Sequence, residues 1–175
     1  THRLLCGDST SAADISQLIG SSKPVLLSTD PPYCVDYTGA DRPQDAGKDW
    51  SDTYKEVEIK DLGDFLRAMF KAVLPHLKPN AGVYIWHAHA RFPVLAKVFE
   101  EFNILCHQPI IWVKPSSTLT FSFFRYQHET CIMGWQQGNK PPHYLPNGIT
   151  SVWECDWEGK SRIVGNEHPT QKPLR

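Results

Sequence analysis

Short apolar runs alternate with amphipathic stretches through the first two thirds of the sequence, and this alternation decides the fold class. Val25–Leu27 and Val83–Trp86 are apolar segments of strand length, and Ile104–Val113, which is apolar at both ends, is predicted as a further strand. Between them, apolar residues recur at helical intervals over residues 57–74 and 92–102. Strands separated by helices are typical of βαβ units, so the sequence predicts an α/β fold with a mostly parallel sheet.

Other segments predict the remaining elements. Leu4–Cys6 and residues 129–135 are each predicted as strands, and residues 9–20 as a helix. The continuous apolar run Val25–Leu27 is predicted to be buried on both faces, as in a parallel sheet. The polar segment Asp36–Thr53 is rich in Asp and Gly and shows no periodicity, so we expect a long loop there, of the kind that is usually either functional or disordered.

Size and composition fit one globular domain. The chain has 175 residues, of which 41 % are hydrophobic, and no run approaches the roughly twenty apolar residues that span a membrane. The five cysteines have no CxxC spacing, which favours reduced thiols in a cytoplasmic protein. The net charge is −3 over residues 1–111 and +2 over residues 112–175, so the second part is favoured as the phosphate-facing surface.

The sharpest local feature is the turn Ser28–Tyr33, where a predicted strand ends. Ligands in open α/β sheets bind at the carboxyl ends of strands. Pro31 and Pro32 lack N–H groups, so the turn presents acceptors, the Asp30 carboxylate and a proline carbonyl, beside the ring of Tyr33. Acceptors beside a stacking ring suit a planar base that carries an exocyclic amino group.

The expected chemistry follows from the electrons of that amino group. Its lone pair is delocalised into the base, which makes the nitrogen a poor nucleophile. Hydrogen bonds from both amino protons to fixed acceptors favour tetrahedral geometry and free the lone pair for in-line attack on an activated methyl group. Asp30 is predicted to orient and polarise the amine rather than to act as a strong base, because an amine proton is too weakly acidic before alkylation.

A second motif, His168–Pro173, makes the pattern specific. Taken alone, the turn Ser28–Tyr33 is also typical of a plain strand end. The proline-bounded loop His168–Pro173, taken alone, is also typical of a solvated tail. Four further motifs lie in order between or before them: Gly7-Asp8-Ser9, Leu77–Gly82, Trp112-Val113-Lys114 and His128-Glu129. The whole set resembles the DNA amino-methyltransferases that use S-adenosylmethionine, in the circular permutation called the beta class, and it covers nearly the whole chain.

The resemblance implies a Rossmann-like sheet of the class I methyltransferases with a small irregular target-recognition lobe. It implies a catalytic core over residues 1–115, a last core strand and recognition lobe over 116–165, and a cofactor-binding loop over 166–175. Double-stranded DNA is the expected partner, and a homodimer, a bacterial, phage or mobile-element source and a restriction-modification context are expected. No metal or membrane is expected.

The resemblance also implies roles for individual residues. The catalytic motif is Asp30, Pro31, Pro32 and Tyr33, with Tyr33 stacking on the extruded base. The cofactor-binding residues are Asp8, Asp30, His168, Pro169, Thr170, Gln171 and Lys172. The candidate DNA contacts are Lys114, Arg125, Lys140, Lys160 and Arg162. Asp at the first position of the catalytic motif is more frequent in adenine-modifying members than in cytosine-modifying ones.

The sequence departs from the family in lacking a glycine-rich Phe-x-Gly-x-Gly turn after the His168 loop. We therefore expect either a fragment of a longer chain or a truncated relative with half a cofactor pocket. A non-catalytic DNA-binding or regulatory module stays open as an alternative, as does the same chemistry on cytosine in DNA or on adenine in RNA.

Two other kinds of site are weaker alternatives. His87 and His89 at alternate positions of a strand are a candidate zinc pair, but no nearby Glu or Cys completes the set. Cys131 is a candidate nucleophile in an apolar strand, where a thiol is usually inert.

Overall fold

The helices and strands are those of an α/β domain. The computed structural model describes residues 2–33, 61–117, 123–143, 146 and 148–155. The elements in chain order are α1 (Ala12–Ile19), β1 (Leu26–Thr29), α2 (Leu62–Val73), β2 (Gly82–His87), α3 (Phe92–Glu101), β3 (Ile104–Val113), β4 (His128–Gln136) and β5 (Val152–Glu154). Short 3₁₀ turns lie at Leu74–His76 and His89–Arg91. Within the described ranges, no helix has the length and apolar character that crossing a membrane requires.

The five strands form one sheet in the order β1-β2-β4-β3-β5. β1 is parallel to β2 and β3 is parallel to β5, whereas β4 is antiparallel to both of its neighbours. Four of the five strands therefore point the same way, which confirms the predicted α/β fold with a mostly parallel sheet. The carboxyl ends of these four strands and the beginning of β4 share one side of the sheet, which we call the carboxyl edge.

The core lies between one face of the sheet and the helices. Val83 and Ile85 of β2 are at most 2 % exposed and belong to one cluster with the apolar faces of α2 and α3. Phe70 of α2 is fully buried, with its ring centroid 5.9 Å from that of Phe99 and 5.4 Å from that of Phe102. Burial of these faces orders the helices over β2, and so fixes the strand that ends beside the candidate site.

Polar groups define where the helices begin and how two of them are joined. The side chain of Ser11 accepts a hydrogen bond from the backbone N–H of Asp14 at the start of α1, and Asp61 caps α2 in the same way. Arg67 of α2 donates two hydrogen bonds, of 2.6 and 3.0 Å, to the carboxylate of Glu101 in α3. This pairing lowers the pKa of Glu101 and raises that of Arg67.

Several predicted elements are confirmed and two strand predictions are wrong. β3 occupies the predicted residues, and β2, β4 and all three helices form where the periodicity predicts them. Residues 4–6 form no strand, and Leu4 is 99 % exposed, because no strand of the described chain pairs with them. β1 is not buried on both faces: its burial alternates along the strand, with Leu26 51 % exposed and Leu27 partly buried, so the described residues leave one face of β1 uncovered. The predicted loop Asp36–Thr53 lies outside the described residues.

Replacement of Phe70 by alanine should lower the free energy of unfolding by about 3–5 kcal/mol, because it removes a fully buried ring from the centre of the core. Urea denaturation followed by circular dichroism measures this change. Lys71→Ala on the exposed side of the same helix is the matched control, with an expected change within about 0.5 kcal/mol. Equal effects of the two substitutions would contradict the position of the core.

Candidate active site

The turn singled out in the sequence follows β1 directly and lies at the carboxyl edge. Asp30 and Pro32 are exposed, Pro31 is buried and Tyr33 is half-buried. The phenol of Tyr33 donates a hydrogen bond of 2.8 Å to Oδ1 of Asp30. This bond fixes the aromatic ring beside the carboxylate, which is the combination of stacking surface and acceptor that the turn was predicted to present.

A small cavity lies against this turn. Pro31, Pro32 and Tyr33 line it together with His87 and Arg91, which follow or end β2. Its volume is about 10 Å³, close to that of one water-sized sphere. The other lining residues are Leu62, Leu66, Ile85, Trp86, Ala88 and Leu95. The ends of two parallel strands thus meet around one cavity, as is general for ligand sites in α/β sheets.

His87 is the last residue of β2 and is only 6 % exposed. Its Nδ1 lies 3.1 Å from the carbonyl oxygen of Ala88, and because a carbonyl only accepts, Nδ1 is the atom that carries the proton. Its Nε2 is buried and has no hydrogen-bond partner among the described residues. The imidazole packs against the ring of Phe92 in a tilted arrangement, with ring centroids 5.3 Å apart. Burial lowers the pKa of His87, which favours the neutral ring.

The geometry does not support His87 and His89 as a pair of zinc ligands. β2 ends at His87, and His89 begins a 3₁₀ turn and is exposed, so the two histidines do not share one face of a strand. Among the described side chains, no group of three His, Cys, Asp or Glu residues is arranged to hold a metal ion. Cys131 is 1 % exposed within β4, so its thiol belongs to the packed interior of the sheet.

Asp8, the predicted adenosyl contact, lies in the segment before α1. Its Oδ1 accepts hydrogen bonds from both the backbone N–H and the hydroxyl of Thr10, each of 2.8 Å. These bonds lower the pKa of Asp8. The backbone N–H of Asp8 donates to Asp14, so the carboxylate is held in a fixed orientation at the beginning of α1. Its contact with the cofactor stays a prediction. The predicted loop residues His168–Lys172 lie outside the described part of the chain.

Lys114, one of the predicted DNA contacts, follows β3 at the carboxyl edge but is buried. Its Nζ lies 2.7 Å from Oε1 of Glu129, and the two side chains are 9 % and 24 % exposed. The backbone N–H of Lys114 donates to the Gln127 carbonyl, and the Gln127 side chain donates back to the Lys114 carbonyl. The ammonium group is therefore used inside the protein, and Lys114 joins β3 to β4 rather than facing a phosphate. Their pairing was not predicted from the sequence, and the signal that was available is their opposite charges at the ends of two predicted strands.

Arg125 lies in an exposed aromatic segment just before β4. Phe123, Phe124 and Tyr126 are 104 %, 87 % and 49 % exposed, and Arg125 is exposed among them. Because β4 begins at the carboxyl edge, this segment lies on the same side of the sheet as Asp30. Arg125 is thus exposed on the side of the sheet that carries Asp30, and its contact with nucleic acid stays a prediction.

Lys140 lies at the end of the sheet opposite to the carboxyl edge. β4 ends there, since Trp135 pairs with Gly82, the first residue of β2. The backbone N–H of Asn139 donates to the Gln136 carbonyl, which holds the turn before Lys140 at that side. A strand of the length of β2 spans about 20 Å, so the structure does not bring Lys140 to the Asp30 turn. The other predicted contacts, Lys160 and Arg162, lie outside the described residues.

Known proteins resemble this chain in sequence and in fold. No protein-family profile matches it. It is 25 % identical over 166 residues to the type II methyltransferase M2.MboI of Moraxella bovis, and the match covers 85 % of this chain and 59 % of that protein. The chain therefore spans less than two thirds of the length of that relative.

The fold resembles two solved structures. A crystal structure of the M1.HpyAVI–SAM complex matches 99 % of this chain and 72 % of its own chain, with a TM-score of 0.64 and 17 % identity. A second crystal structure of M1.HpyAVI matches 88 % of this chain and 66 % of its own, with a TM-score of 0.59 and 15 % identity. Together with the sequence match, they confirm the resemblance to S-adenosylmethionine-dependent DNA methyltransferases and the α/β class of the fold.

Glu129→Gln should lower the free energy of unfolding by about 3 kcal/mol, because it leaves the Lys114 ammonium buried without its counter-charge. The double variant Lys114→Met, Glu129→Gln should recover most of this loss, since both charges are then absent. Urea denaturation measures both, with Lys140→Met as the exposed control. A Glu129→Gln effect no larger than that of the control would show that the pair does not stabilise the hairpin.

Proposed function

We propose that this chain carries the base-modifying site of a DNA methyltransferase that transfers a methyl group from S-adenosylmethionine to the exocyclic amino group of adenine. The hydrogen bond that fixes the Tyr33 ring beside the Asp30 carboxylate carries the proposal. A stacking ring and an acceptor at the carboxyl edge meet the needs of a flipped base that bears an amino group. The type II methyltransferase M2.MboI and the M1.HpyAVI–SAM complex support the reaction class and the cofactor.

Asp30 and its neighbours would act on the base rather than on the methyl group. The carboxylate of Asp30 and a proline carbonyl of the turn accept hydrogen bonds from the two amino protons, which draws the nitrogen lone pair out of conjugation. The nitrogen then forms a bond to the methyl carbon as the methyl–sulfur bond breaks and its electrons return to sulfur. The alkylated nitrogen loses one proton, which leaves to solvent. Tyr33 holds the base plane by stacking, with its own ring fixed through Asp30.

The described residues fit a positively charged methyl donor. S-adenosylmethionine supplies an activated methyl group on a sulfonium centre. Asp30 is exposed at the carboxyl edge and offers negative charge to such a group, whereas the hydrogen bonds of Asp8 favour its ionised form as an acceptor for the adenosyl part. We assign them to cofactor binding together with His168, Pro169, Thr170, Gln171 and Lys172.

DNA is assigned to the carboxyl edge around Arg125. The guanidinium group would contact phosphate, and the neighbouring Phe123 and Tyr126 offer ring faces for contact with bases. The acidic character of residues 1–111 leaves this second part of the chain as the better surface for a polyanion. A restriction-modification context follows from the type II relative.

Asp30→Ala should lower methyl transfer to DNA by about 100-fold or more while the thermal midpoint stays unchanged, because the exposed carboxylate acts on the base and not on the core. Transfer of radiolabelled methyl groups from S-adenosylmethionine measures this change. Glu100→Ala, an exposed carboxylate on α3, is the matched control and should retain parental turnover.

Two results would go against the proposal in different ways. Near-parental turnover of Asp30→Ala would exclude the assigned role of the turn. A parent protein without saturable binding of S-adenosylmethionine would exclude the enzyme and favour the non-catalytic DNA-binding module. Parallel assays on DNA and RNA, and on polymers rich in adenine or in cytosine, distinguish the remaining substrates.

The two functions of Tyr33 can be separated. Tyr33→Phe keeps the ring and loses the hydrogen bond to Asp30, whereas Tyr33→Ala loses both. Base stacking contributes about 1–3 kcal/mol, so kcat/KM should fall about 5- to 150-fold in Tyr33→Ala and less in Tyr33→Phe. Steady-state transfer kinetics measure both values. A larger loss in Tyr33→Phe than in Tyr33→Ala would show that stacking is not the function of the ring.

A further inference from the structure

We infer that Phe123 acts as a wedge in DNA: its ring inserts into the base stack and fills the space that the extruded target base leaves. This inference rests on the function proposed above and names the residue that would hold the base outside the duplex. Arg125 is assigned to a phosphate beside the same base step. The ring of Phe123 does not contact the target base itself, whose amino group and ring face are used by the Asp30 turn.

The segment Phe123–Tyr126 presents aromatic surface to solvent. Phe123 is fully exposed, and Phe124 and Tyr126 are 87 % and 49 % exposed. Adjacent exposed rings are typical of an interaction site, because apolar surface is unfavourable in water. The phenyl ring of Phe123 has neither a hydrogen-bond donor nor an acceptor, so it binds only through stacking and apolar contacts.

The charge around these rings indicates the partner. Residues 115–127 contain no Asp or Glu, and Arg125 is the only charged residue among them. The guanidinium group is exposed together with the rings. A partner that suits this surface carries negative charge and also offers flat apolar faces, which is the chemistry of phosphates and stacked bases in DNA.

The sheet places this segment close to the Asp30 turn. β1 and β4 both adjoin β2, so the turn after β1 and the beginning of β4 are two strand spacings apart, about 10 Å. Thr130 pairs with His87 at the end of β2, so His128, where β4 begins, lies about 7 Å beyond that level, and the aromatic residues come just before it. An extruded base swings out of the stack about its own backbone. A ring on this segment can therefore enter the duplex while the base reaches Asp30.

Several contacts fix the hairpin that carries the rings. The backbone N–H of Lys114 donates to the Gln127 carbonyl at 2.8 Å, and Gln127 Nε2 donates to the Lys114 carbonyl at 3.3 Å. The Lys114 ammonium group lies 2.7 Å from Glu129, and the ring centroids of Tyr126 and His128 are 6.5 Å apart. Binding by a segment that is already ordered costs less conformational entropy. The end of the β3–β4 hairpin is therefore a suitable support for a wedge.

The linking number of a closed circular plasmid tests the insertion without knowledge of the target sequence. The protein and S-adenosylhomocysteine are bound to the plasmid, a topoisomerase relaxes it, and the topoisomers are separated after the protein is removed. Insertion of a side chain and extrusion of a base both unwind the duplex, so the parent protein should lower the linking number. Phe123→Ala should at least halve this change at equal occupancy of the DNA. No change with the parent protein, or an equal change with the variant, would overturn the inference.

Kinetics distinguish a wedge from a plain contact with bases. Loss of one ring stacked on a base should lower kcat/KM for methyl transfer to duplex DNA about 5- to 150-fold in Phe123→Ala. Phe123→Leu keeps an apolar wedge and should recover part of this loss. Affinity for the heat-denatured strands of the same DNA should be unchanged in Phe123→Ala, because a single strand has no gap to fill. Equal losses with duplex and single strands would show a plain contact and overturn the wedge.

The matched control is Leu4→Ala, which also removes a fully exposed apolar side chain. Arg3, next to it, donates hydrogen bonds to the Leu18 and Ile19 carbonyls at the end of α1, and α1 leads into β1, so Leu4 lies away from the carboxyl edge. Leu4→Ala should retain parental turnover and parental unwinding. The thermal midpoint should be unchanged in both Leu4→Ala and Phe123→Ala, because neither side chain belongs to the core.

The two levels of the proposal fail in different samples. If the parent protein neither binds S-adenosylmethionine nor transfers a methyl group, the proposed function fails, and with it the wedge. If the parent protein is active and Phe123→Ala is equally active on duplex DNA, only the assignment of Phe123 fails.

Discussion

Parallel pairing of β1 with β2 decides where the candidate chemistry lies, because it brings the carboxyl ends of both strands to one side of the sheet. Burial of Val83 and Ile85 beneath α2 and α3 holds β2 in place, and β1 pairs along its length. The Asp30 turn and His87, far apart in sequence, consequently line one cavity. The reversed direction of β4 then brings Glu129 to the same side and carries Lys140 away from it.

Two buried polar residues at the carboxyl edge, Lys114 and His87, differ in how their polar groups are satisfied. The Lys114 ammonium group gains a counter-charge from Glu129. The Lys114 backbone donates one hydrogen bond to the Gln127 carbonyl and accepts one from the Gln127 side chain, so Lys114 stabilises the hairpin that carries Arg125. Among the described residues, His87 Nδ1 has a hydrogen bond to the Ala88 carbonyl and Nε2 has no partner. Proteins satisfy local rules in most places and break them where function requires it. Among the described residues, the burial of the Lys114 ammonium group is thus compensated, whereas the burial of His87 Nε2 is not.

Sequence periodicity predicted the helices because each has enough apolar residues to define its period, as in Leu62–Val73. A long strand was predictable where an apolar run is continuous, as in Gly82–His87. The strand predicted at Leu4–Cys6 does not form. A strand also needs a neighbouring strand for its backbone hydrogen bonds, and the sequence of one segment does not show whether such a neighbour is present. The carboxylate and the aromatic ring of the Asp30 turn lie within four consecutive residues, so their closeness was predictable from the sequence, and their chemistry stays a prediction. The pairing of Lys114 with Glu129 depends on hairpin register, and the unsatisfied nitrogen of His87 depends on what covers the end of β2.

The position of the transferred methyl group tests most directly whether the Asp30 turn receives the amino group of adenine. Double-stranded DNA is incubated with the protein and S-adenosylmethionine that carries a deuterated methyl group, digested to nucleosides and analysed by mass spectrometry. The label is expected in N6-methyl-2′-deoxyadenosine. Label in a carbon-methylated base, or in no nucleoside although the protein binds both DNA and cofactor, would contradict the assignment.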